Sequence, residues 1–131
     1  MGKEITKEIK SFEDAVKATG RPNTPDFSNV PEDLREYFEG QYQMVVIAES
    51  INEGWKPNWG DSNEPKYFPY FWHEDADGEE GVSSGFVFYR TYCAYSDACA
   101  GNGLRLCFRT RALAEYAGKQ FIDIWNKILL K

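Results

Sequence analysis

The chain has 131 residues, a formal charge of −6 from 15 Lys/Arg against 21 Asp/Glu, and 42% hydrophobic residues. That length fits a single domain, residues 1–131, able to bury a core without staples, and no stretch nears the roughly 20 apolar residues of a membrane span. No apolar run follows a basic start in the first 30 residues, and Cys93, Cys99 and Cys107 form no Cys-x-x-Cys pair; the expectation is therefore a cytoplasmic protein, with no secretory signal and with reduced thiols.

Ser11-Phe12-Glu13-Asp14 has the form of a capping box, and Gly20 stands where a helix would end, predicting a first helix over 11–20. The connection 21–29, with Pro22 and Pro25, is expected to be irregular. Pro31, followed by Glu32 and Asp33, suits a helix start, and an apolar stripe through Leu34, Phe38, Tyr42 and Val45 carries the helix to about Asn52. Gly40 interrupts the stripe and is expected to divide or bend it. Gly54 closes the helix and opens the loop 55–61, which holds Trp55 and Trp59 in a Pro/Gly-rich setting. Two indoles of this size either lid the core or line a pocket in contact with a ligand or partner.

Residues 67–72 read as a strand in which Pro69 demands an edge position. The acidic turn 74–81 contains Asp77-Gly78, and a second strand covers 86–95. Residues 104–108 read as a third strand, with Leu104, Leu106 and Phe108 on one face and Arg105, Cys107 and Arg109 on the other. Short links favour an antiparallel meander, with Cys93 and Cys107 as neighbours on adjacent strands. Thr110 is placed to cap a long closing helix over 112–130, whose stripe Leu113, Tyr116, Ala117, Phe121, Ile124 and Ile128 faces the sheet. Gly118 inside that helix calls for a close approach to the sheet or to another helix. The expected fold is α+β: N-terminal helices, a three-stranded antiparallel meander, and a long C-terminal helix packed on the sheet.

The strings Asn52-Glu53-Gly54-Trp55-Lys56-Pro57-Asn58-Trp59, Arg105-Leu106-Cys107-Phe108 and Ala114-Glu115-Tyr116-Ala117-Gly118-Lys119-Gln120-Phe121, with the Ser11-Phe12-Glu13-Asp14-Ala15 start, resemble small uncharacterised proteins carried by bacteriophages and prophages of gut anaerobic bacteria. The resemblance spans most of the chain and brings no activity or site residues with it. It implies an intracellular accessory protein of phage or prophage origin.

Catalytic chemistry finds few carriers. His73 is the lone histidine, and a Cys/His device would need it beside Cys93 with no orienting group in sequence; an ordinary strand-end histidine is the simpler reading. Asp75, Asp77 and Glu79 are the weak candidates for a hard cation, but their glycine comes too early for an EF-hand loop and no glutamate closes it. The cysteine spacings do not converge on a zinc centre, and Gly101-Asn102-Gly103 lacks the strand-to-helix setting of a phosphate loop. No catalytic residue, cofactor or metal is therefore expected.

The chain is bipolar, with 8 Lys/Arg against 18 Asp/Glu in residues 1–81 and 7 against 3 in residues 82–131. With 4 Trp, 8 Tyr and 9 Phe, it also has more aromatic surface than three helices and one sheet face readily hide. These features point to a non-enzymatic protein that binds a protein partner or itself, with Trp55, Trp59, Tyr89, Arg90, Tyr92, Arg105 and Arg109 as the candidate contacts. Two alternatives use the same features. One is a nucleic-acid module in which Tyr89, Tyr92 and Tyr95 stack bases while Arg90, Arg105 and Arg109 meet phosphates, disfavoured by the net charge; the other is an acidic DNA-mimic inhibitor. No membrane contact is expected.

Overall fold

In the computed structural model, which describes residues 4–74, 85–98 and 105–129, the chain runs α1 (Ile5–Glu8), α2 (Phe12–Thr19), α3 (Glu32–Ile51), β1 (Lys66–His73), β2 (Phe86–Ala94), α4 (Arg111–Gln120) and α5 (Ile122–Ile128). The fold is α+β. No helix among the described residues is long and apolar enough to cross a membrane.

Local chemistry places the helices much as the sequence leads one to expect. The Ser11 hydroxyl accepts the Asp14 N–H at 3.2 Å, and the Asp14 carboxylate reaches back to the Lys10 N–H at 3.0 Å. That backbone hydrogen bond, helped by Ser11, holds the Asp14 carboxyl below its ordinary range. Gly20 ends α2 at φ 74, in the left-handed region. Thr110 caps α4 in the same way as Ser11, accepting the Leu113 N–H at 3.1 Å. α3 runs without a break through Gly40, because that glycine is where α5 crosses: a Cβ there would lie 2.8 Å from Lys127 Cβ and 3.2 Å from the Ile124 carbonyl oxygen.

The core lies between these helices and one face of the sheet. Ile9, Phe12 and Ala15 pack with Met44, Ile47 and Ile51 of α3, and Leu113, Ala117, Phe121 and Trp125 close the cluster from the C-terminal side. Trp125, absent from the expected stripe, is one of its anchors. Its ring meets Phe71 at 5.1 Å and its indole N–H donates to the Ala117 carbonyl at 3.0 Å, so a large apolar surface is buried with its one donor satisfied.

Three expectations are corrected. Among the described residues the sheet has two strands, β1 and β2, paired antiparallel, and not the three of a meander. The segment expected as a third strand contributes one bridge, Tyr67 to Phe108, and it lies beside β1 rather than β2. Leu106, Cys107 and Phe108 are buried in succession, so the alternation a half-exposed strand requires is missing; Leu104 lies outside the described residues. Cys93 is opposite Tyr67 in the ladder, so β1 separates it from Cys107, and both are free thiols. The single closing helix is two, divided at Phe121, whose φ of −109 and ψ of 30 are not helical. That break redirects the last turns toward α3, where the Ile124 carbonyl and the Ile128 side chain lie against Gly40. The close approach expected at Gly118 is present, since a Cβ there would sit 2.5 Å from Phe88 Cδ1 and 3.0 Å from Pro69 Cβ.

Candidate functional site

The two faces of the hairpin sheet have different fates, and a bulge decides which residues go where. Tyr70 pairs with Arg90 and Phe71 with Phe88, leaving Tyr89 as an extra residue on β2. A bulge of this kind puts two consecutive side chains on the same face and reverses the alternation beyond them. Phe88 accordingly turns inward against Gly118 and Thr91 inward to the Arg111 guanidinium at 2.8 Å, while Tyr89, Arg90 and Tyr92 all turn outward. Strict alternation along 86–95 would have put Tyr89 and Arg90 on opposite faces.

The outward face is aromatic and open. Tyr70 is 44% exposed, Trp72 45%, Tyr89 47%, Tyr92 39% and Val87 39%. Tyr70 and Tyr92 are in ring contact at 4.1 Å, Phe68 joins them at 5.5 and 6.5 Å, and Trp72 meets Tyr89 at 5.8 Å. Arg90 links the two groups, its guanidinium 4.5 Å from the Tyr89 ring centre and 5.7 Å from that of Tyr92, and it donates to the Tyr89 hydroxyl at 2.8 Å. Such cation–π contacts stiffen a patch without covering it. The inner face, by contrast, is held by α4 and α5, where Asn126 exchanges two hydrogen bonds with the Phe86 backbone.

A second feature lies at the C-terminal end of α3. Glu53 at φ 53 and Gly54 at φ 85 turn the chain out of the helix, and Asn52 clamps the neighbouring segment: its amide donates to the Cys107 carbonyl and accepts the Arg109 N–H, each at 3.0 Å. The loop that follows folds back over a cavity of about 400 Å³ lined by Val45, Trp55, Pro57, Trp59, Arg105 and Cys107 among others. Both indoles are half-buried. Trp59 lies over the Lys66 ammonium, 5.1 Å from the ring centre. Lys66 itself is wholly buried, donating to the carbonyls of Asp61 and Tyr95 and pairing with Glu64 at 3.5 Å, as a buried ammonium requires. Burial pushes the Cys107 thiol up to about 11, so it stays protonated and makes a poor nucleophile.

The candidate contacts therefore fall into three places. Tyr89, Arg90 and Tyr92 share the open sheet face; Trp55, Trp59 and Arg105 share the cavity; Arg109 stands apart, paired with Glu53, with its buried Nε unpartnered among the described residues. The constellation of tyrosines with Arg105 and Arg109 is thus not gathered on one surface. Tyr70 and Trp72, absent from the expected contact set, are open on this face and Phe68 is buried beneath their end of it; their spacing of two along β1 was the available signal. His73 and Cys93 occupy opposite ends of the hairpin, so the Cys/His pairing considered above is not assembled. Asp75, Asp77 and Glu79 lie outside the described residues, among which no group of three His, Cys, Asp or Glu is placed to hold a metal ion. No family, curated protein or solved structure matches this chain.

Proposed function

We propose that the chain is a non-enzymatic interaction protein, an accessory of phage or prophage origin acting in the bacterial cytoplasm, that binds a protein partner through the outer face of the β1–β2 hairpin. The observation that carries the reading is the cluster Tyr70, Tyr92, Trp72 and Tyr89, left open over buried Phe68 while the opposite face is packed under helices. Aromatic rings with few rotatable bonds and a bound arginine are the composition of interface hot spots. β2 adds a second attraction, because its nine residues carry one charge and no proline and, beyond Phe86, whose backbone Asn126 already bonds, its outer edge pairs with no strand among the described residues.

A photo-crosslinking residue at position 72, compared with one at exposed Lys17 on α2, tests the proposal in cells. Saturable adducts with one defined protein, or with a second copy, are expected from position 72 alone, and they should vanish in a Tyr70→Ser, Tyr92→Ser background whose thermal melt is unchanged. Equal labelling from both positions would refute it. Single-stranded nucleic acid is the second reading, favoured by Arg90 lying across two tyrosines. With one cation on the face and a charge of −6, binding by stacking is expected to show a salt slope near one phosphate or less.

A further inference from the structure

We propose that the cavity beneath the 55–59 loop binds a small planar aromatic anion, a ring of nucleobase or indole size joined to a phosphate or carboxylate. At about 400 Å³ it has the volume of a small-molecule site. Its walls offer two indole rings, which reward stacking by any flat ring irrespective of the ring's substituents.

Its charges select the sign of the ligand. Arg21, Lys56, Arg105 and Glu49 all line the cavity. Arg21 and Glu49 satisfy each other through contacts of 2.8, 3.2 and 3.4 Å. Lys56 and Arg105 remain, both exposed and neither hydrogen-bonded nor ion-paired to a described residue. Two uncommitted cations facing one aromatic cavity, in a chain whose net charge is −6, form a local reversal of field that favours an anion.

Arg105 adds an independent indication. It sits at φ 68, where an L side chain is strained and glycine is not. Its guanidinium makes no hydrogen bond or ion pair with a described residue, so the backbone alone would be better served by glycine. A side chain kept at a strained position without a protein partner is accounted for by a ligand that it meets. Buried Cys107, held protonated, gives the cavity no nucleophile, so the site binds without reacting.

The test titrates the full-length chain with AMP, UMP and indole-3-acetate, following tryptophan fluorescence and calorimetry, with adenosine and inorganic phosphate as half-ligands. Saturable quenching is expected from at least one ring-plus-anion compound, and both half-ligands should bind about 10-fold more weakly or worse. A preference for the nucleotides or for the carboxylate then assigns the source of the anion. Arg105→Gly should weaken binding about 10-fold while the melting temperature holds or rises, and Lys56→Gln should weaken it with the melt unchanged. The proposal is overturned by the absence of saturable binding up to about 10 mM, by half-ligands that bind as well as the whole, or by undiminished affinity in Arg105→Gly.

Discussion

Gly118→Ala is the sharpest probe of how α4 meets the sheet. In an isolated helix the change would stabilise by about 1 kcal/mol, because alanine is the better helix former. Here the new methyl would lie 2.5 Å from Phe88 Cδ1 and 3.0 Å from both Phe88 Cε1 and Pro69 Cβ. Carbon atoms pack best at about 3.5–4.0 Å, so the Phe88 ring would have to retreat by about 1 Å. Pro69 has a rigid ring and cannot yield, and Phe88 is held by the ladder opposite Phe71. Overpacking of this kind costs about 1–3 kcal/mol, which outweighs the gain in helix propensity and leaves a net loss of about 1 kcal/mol. Urea unfolding measures it, with an unchanged slope as the check that only stability has moved. The decisive comparison is the same change in a Phe88→Ala background, where the obstructing ring is gone. There only the 3.0 Å approach to Pro69 Cβ remains, so Gly118→Ala should cost less than in the wild-type background, with a coupling energy of about 1 kcal/mol. A stabilised Gly118→Ala single variant, or an equal penalty in both backgrounds, would refute the packing argument.

Asn52→Ala should cost about 2–4 kcal/mol in denaturant melts, since it strands the Cys107 carbonyl and the Arg109 N–H together. Phe121→Ala, which empties a buried site, should cost about 3–5 kcal/mol, against under about 1 kcal/mol for Lys127→Ala, whose stem alone packs near Gly40; equal urea midpoints would reject the placement of α5. Stability should also fall at alkaline pH through Cys107. Its folded thiol keeps its proton up to about 11 while the unfolded one loses it near 9, so its contribution is complete below pH 9 and is lost between pH 9 and 11. The loss amounts to about 2–3 kcal/mol, read as the difference from Cys107→Ala. Native alkylation should label exposed Cys93 well before buried Cys107.

Much of the scaffold was legible because it is written in local chemistry. Ser11, Gly20, Pro31 and Thr110 mark helix ends through backbone hydrogen bonds and dihedral limits that need no tertiary partner. The short links and alternating aromatics around 67–72 and 86–95 likewise announced the hairpin. What escaped depends on neighbours distant in sequence. Residues 106–108 look like a strand, but Leu106 and Phe108 join the core cluster and Asn52 holds the Cys107 carbonyl, so burial overrides alternation. Phe121 reads as one more position in an apolar stripe, and only the crossing at Gly40 explains why the helix turns there. The bulge at Tyr89 has no glycine to announce it, yet it decides which tyrosines face outward. The loop with Trp55 and Trp59 was recognisable as either a lid or the lining of a pocket; the far wall of that pocket is Arg105 and Cys107, some 50 residues further along.

Asn52 joins positions 55 and 57 residues apart in sequence, and the tryptophan loop, both strands and the open aromatic face between them form one excursion of the chain, tied at its neck by that amide and by the Tyr67–Phe108 bridge and fastened along its length to α4 and α5. Loop-closure entropy must be met before such contacts form, so this excursion should organise after the local helices α2 and α3 during folding. Both surfaces offered for recognition would then belong to one cooperative unit. An occupant of either would slow hydrogen exchange across the whole excursion and leave α2 untouched, so the protein would signal occupancy by a change in local lifetime rather than in shape.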